Sequence, residues 1–211
     1  MYIIKNKVSN HFKDHATIYV FIMILFLTGV IFGAIIVNSM EFNQKQDILF
    51  YLERYLGQIV ANETTENQAI LVDSFLLHVK SLLLLFTLGL TVIGLPLVWI
   101  LVFMKGLAIG FSVGFIVNQF GLKGLILASL SIAPQNLLII PMYIIAGSLS
   151  MLFSLTLISI LFNQKGSSPI TLFFRNYVVM FSLLLSISFG AALLEAFVAH
   201  EAMQSFIRSF Y

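Results

Sequence analysis

From Gly124 to Phe162 the chain runs 39 residues without an Asp, Glu, Lys, Arg or His. A straight helix of that length would extend ~58 Å, about twice the ~30 Å hydrocarbon core of a bilayer. Such a run must be interrupted, and its prolines say where. Pro134 disfavours helical geometry at Ala133, and its ring clashes with the preceding turn. Pro141 repeats the problem seven residues on. Irregular backbone at membrane depth is tolerated only where protein or a water-filled cavity covers it. Gln135 and Asn136 can supply the hydrogen bonds that a break leaves open. The first expectation is helix-breaking glue between spans, with a ligand site as the second.

Composition places the rest of the chain in the same class. Of 211 residues, 60% are hydrophobic and 9% charged, where soluble domains carry about 25% charge. This is an all-α, polytopic integral membrane protein with about five transmembrane helices, one of them broken by Pro134 and Pro141. Thr17 to Val37 is too long and uninterrupted for the apolar region of a cleaved signal. With no cysteine, disulfides and thiolate metal sites are excluded. A net charge of +2 gives no argument for nucleic acid.

Taken in order, residues 1–16 form a basic segment with Lys5, Lys7 and Lys13. His11 and His15 are four apart, a metal-ligand spacing, but the preferred reading is a basic helix lying on anionic membrane lipid. Residues 17–37 are the first span. Residues 38–73 hold six acids against two bases, net −4. Within them Leu49, Leu52, Leu56 and Ile59 recur at helical spacing beside Tyr55, which predicts an amphipathic helix over about 44–61. Its apolar face either packs on the protein's own helices or is offered to a partner. Spans follow at 74–95 and 96–120, because Gly94-Leu95-Pro96 is a turn signal. That split puts Lys105 inside a span, where a charge costs ~2.5–3.5 kcal/mol. A turn at Lys105-Gly106 instead would make the lysine an interfacial anchor. The broken element occupies 124–162, a loop 163–175, the last span 176–200 and a tail 201–211. Glu195 is expected at that span's end, reaching headgroups or a lysine such as Lys80 or Lys123. The basic residues favour a cytoplasmic N-terminus, which leaves 38–73 and the C-terminus outside.

Glycines organise the packing. Gly29 and Gly33 form a GxxxG pair, while Gly106, Gly110 and Gly114 recur every four residues. Together with Gly147, they allow a neighbouring backbone to come close, within one chain or between two in a homodimer. Gly110-Phe111-Ser112-Val113-Gly114 matches a nucleophile elbow, but that motif needs a strand, a turn and a nearby histidine. No metal or phosphate motif occurs. The reading is a protein that is not an enzyme and carries no cofactor.

Lys105-Gly106, Gly110, Gly114, Val117-Asn118-Gln119, Ala133-Pro134-Gln135-Asn136, Pro141 and Ala146-Gly147 together resemble the stage II sporulation protein M family. The likeness covers essentially the whole chain. In many relatives of the broader family a Pro-His-Gly…Glu pattern occupies 134–140. Here Gln135 and Asn136 replace the polar pair, and Ile139 and Ile140 leave no acid. The resemblance implies a non-enzymatic scaffold in the septal and mother-cell membrane of an endospore former. It would recruit and anchor the peptidoglycan hydrolases SpoIIP and SpoIID for engulfment of the forespore. A permease-like subunit working with an ATPase is the alternative, carried by the broken element and Lys105.

Overall fold

The computed structural model describes residues 15–61, 67–162 and 170–199. The basic segment 1–14, the loop centred on 163–169 and the tail from 200 lie outside the described residues. Within them every element is helical: α1 (Ala16–Ser39), α2 (Phe42–Ala61), α3 (Asn67–Gly89), α4 (Gly94–Ser131), α5 (Ala133–Phe162) and α6 (Ile170–Leu193), which passes into a π-helical turn at Leu194–Ala199. Five helices are long and apolar enough to cross a membrane: α1, α4, α5, Ile70–Gly89 of α3 and Thr171–Phe197 at the last position. The chain is an all-α polytopic membrane protein.

The closest packing joins α1 to α4. The space a side chain would need at Gly29 is taken by the Phe103 carbonyl, and at Gly33 by the Leu107 carbonyl. In return the Phe26 carbonyl lies against Gly106 and the Val30 carbonyl against Gly110. A Cβ at any of the four would overlap backbone that cannot move aside. Without a hydrophobic drive between helices in lipid, such close contact is what binds them. Edge-on ring pairs, Phe21 with Trp99 and Phe32 with Phe103, flank this seam. The glycine faces that suggested a homodimer are therefore covered from within the chain. Gly114 faces Ala34 on the same helix pair.

α3, α5 and α6 form a second group, held by polar bonds at one end. The last carbonyls of a helix lack intrahelical partners, and lipid supplies none. Ser154 Oγ lies 2.9 Å from the Gly89 carbonyl and 3.0 Å from that of Thr91. Ser150 Oγ lies 2.9 Å from the Leu85 carbonyl. Tyr177 donates to the Phe86 carbonyl at 3.0 Å. The Tyr177 ring also stacks on Phe153 and Phe86, at centroid distances of 4.6 and 5.0 Å. The two groups meet where Gly147 admits methyl groups of Val102 and Ile22.

α3 and α4 are separated by residues 90–93, so Lys105 lies within a spanning helix. Gly94 is needed at this turn, because a Cβ there would strike the Leu88 carbonyl. α4 bends at Gly121, whose φ of 58° and ψ of −133° suit glycine. Residues 122–131 then continue as a short helical arm, with Gly124 against the Ile116 carbonyl.

The prolines act differently from expectation. The chain leaves the helix at Ile132, and Pro134 sits in the first turn of α5, where a missing N–H costs nothing. Pro141 does not break α5. It removes only one donor from the ladder, and buried neighbours at Met142, Tyr143 and Ala146 hold the helix on course.

Candidate functional site: a polar cluster between the helices

Four elements bring ionisable or amide side chains together inside the bundle. Lys105 lies eleven residues into α4, ~16 Å along its axis, and His78 lies eleven residues before the end of α3. Both are thus well inside their spans, at comparable distance from the 90–93 turn. The Lys105 ammonium stands 5.4 Å from the centroid of the Tyr143 ring, a cation–π distance. The Tyr143 hydroxyl bonds to Ser81. Glu195, on the π-helical turn, exerts the electrostatic pull felt at Lys105.

Glu195 is also held from two other helices. His78 Nε2 lies 3.7 Å from Glu195 Oε2, an ion-pair distance too long for a hydrogen bond. His78 is buried, and that nitrogen has no hydrogen-bond partner among the described residues. With its amide nitrogen turned toward the acid, Gln135 donates to Glu195 Oε1 at 3.0 Å and also to Oε2. Asn136 instead bonds its own helix start, donating to the Ile132 carbonyl at 2.8 Å. Gln135 and Asn136 therefore divide the expected labour: one faces a charged group, the other mends the backbone break. A histidine and an acid, missing from 134–140 itself, reach Gln135 from α3 and α6.

Two expectations change here. Glu195 does not reach toward Lys80 or Lys123, because it continues the inward face of α6. Tyr177, Phe181, Leu184, Ser188 and Ala191 are all buried, at spacings of four, three, four and three. Glu195 is the next step in that series, and the spacing was legible in the sequence. His78 likewise follows Ser74 and precedes Leu82 on the buried face of α3, so it is not a membrane-end histidine. Burial of a polar side chain among lipid-facing helices marks it for pairing.

The other singled-out positions lie apart from this cluster. Ser112 donates to the Ala108 carbonyl of its own helix and is joined by no histidine. Among the described residues no group of three or more His, Cys, Asp or Glu could hold a metal ion. Leu49 and Leu52 lie on α2, half-buried, while the side chains of Tyr55, Leu56 and Ile59 lie outside the described set. α2 packs against no other described element.

A family model described as SpoIIM, stage II sporulation protein M, matches residues 22–200. No curated protein and no solved structure matches the chain.

Proposed function

The chain belongs to the stage II sporulation protein M family, and from that premise we propose that it is a non-enzymatic membrane scaffold. It recruits and anchors peptidoglycan hydrolases, of the SpoIIP and SpoIID kinds, for engulfment of the forespore. Its place is the septal and mother-cell membrane, with the N-terminus in the cytoplasm and α2 outside.

One observation supports this reading above the others. α2 is a 20-residue helix that leaves α1 after only Met40 and Glu41, yet packs on none of the described helices. Phe42, Phe50 and Tyr51 on it are 72%, 62% and 69% exposed. Large exposed apolar side chains rimmed by charge mark interaction sites, and helices are read by partners through such faces. Peptidoglycan lies on the side to which the basic residues assign α2, so a wall hydrolase is the partner suited to it.

The test is affinity purification of the tagged protein from sporulating cells, with every co-purifying protein identified. Recovery of wall hydrolases, lost when 44–61 are deleted, is the expected result. Recovery of an ATPase instead would favour the permease reading, to which the buried Lys105 and Glu195 lend weight.

A further inference from the structure

The five spanning helices divide into two units. α1 and α4 are joined backbone to backbone at their glycines. α3, α5 and α6 are joined by hydroxyl–carbonyl bonds and the rings around Tyr177. α1 packs on neither α3 nor α6, and α4 does not pack on α6 before its π-helical turn. The units meet through α4 on α3 and α5, α1 on α5, and α4 on that turn.

Most of this shared surface is apolar, as at Ile22, Val102 and Met142. In lipid such surfaces gain little by meeting, since the tails solvate them equally well. The ionic link across it is different. Lys105 belongs to the first unit, while Tyr143 and Glu195 belong to the second. Parting them would leave two ions in hydrocarbon, each costly alone. His78 and Gln135, both in the second unit, hold the carboxylate in place. Glu195 itself rides on a π-helical turn, a rare distortion that is frequent at functional sites. α2 also bridges the units, following α1 by two residues and preceding α3 by five.

The geometry points to a charge latch: Lys105 of the α1/α4 unit and Glu195 of the α3/α5/α6 unit keep the two closed. Closure in turn fixes the attachment points at the two ends of α2. The latch is a conformational device, separate from the surface that any partner touches.

The cysteine-free chain makes the test direct. The full protein, in phospholipid vesicles, carries one thiol at V102C between the units, or one at S188C inside the second unit. Reactivity toward a membrane-permeant maleimide is measured in each. K105L and E195Q should each raise the V102C rate about tenfold or more, since either leaves one ion unpaired. The double variant K105L/E195Q should return it to within about threefold of the parent, because no ion is left unpaired. S188C should stay protected throughout. Should a single variant fail to accumulate in the membrane, accumulation of the double variant carries the same meaning. Equal rises at both thiols, no rise at V102C, or a double variant as reactive as the sum of the singles would overturn the latch.

Discussion

At Gly110 the backbone of one helix occupies the volume where another residue would carry its side chain. The Val30 carbonyl sits there, and carbonyl oxygens on a packed helix cannot rotate away. Gly110→Leu should therefore part α1 from α4, seen as loss of the monodisperse peak on size exclusion in detergent. Gly57 provides the contrast, because a Cβ there would meet nothing within 4 Å. Gly57→Ala should be tolerated, and should favour α2 by about 0.5–1 kcal/mol through backbone entropy. A second residue-scale expectation concerns Ser154, which is fully buried and serves two carbonyls beyond α3's last turn. Ser154→Ala should cost about 1–2 kcal/mol in reversible unfolding. Ser159→Ala, at an exposed hydroxyl bonded within its own helix, should cost much less.

At the scale of elements, the sequence carried lengths, faces and turns, and it was weaker on partners. The four-residue glycine stacking marked a close-packing face at 106, 110 and 114. Nothing in a linear period says that Gly29 and Gly33 are what it meets. The Gly94-Leu95-Pro96 signal marked a turn, because glycine past a helix end and proline in a first turn have local physical causes. Pro141 misled for a tertiary reason: the packing of α5 tolerates one lost hydrogen bond. Glu195 and His78 were placed at membrane ends by counting from the span boundaries. The buried three- and four-residue spacing along each helix was the better guide, and it places both side chains inward.

At the scale of the whole molecule, the two ends of the bundle differ. One end closes with the hydroxyl–carbonyl bonds at Gly89 and Thr91. The other carries α2, the arm after Gly121 and the Glu195 turn. Single cysteines at 62, 167 and 211, probed with an impermeant maleimide in whole cells, check which end faces outward. Labelling at 62 and 211 but not at 167 is the expected pattern. The reverse pattern would put α2 in the cytoplasm, away from the wall.

The scaffold reading is tested most directly by binding of purified SpoIIP- and SpoIID-type hydrolases to the protein in lipid nanodiscs. The comparison is the parent chain against one with Leu49→Glu and Leu52→Glu on α2. These changes lie on a helix that packs on no other described element, so the bundle should melt within about 2 °C of the parent. Saturable binding to the parent, weakened about tenfold or more in the variant, is the expected result. Equal binding to both, or none to the parent, would contradict a scaffold that works through α2.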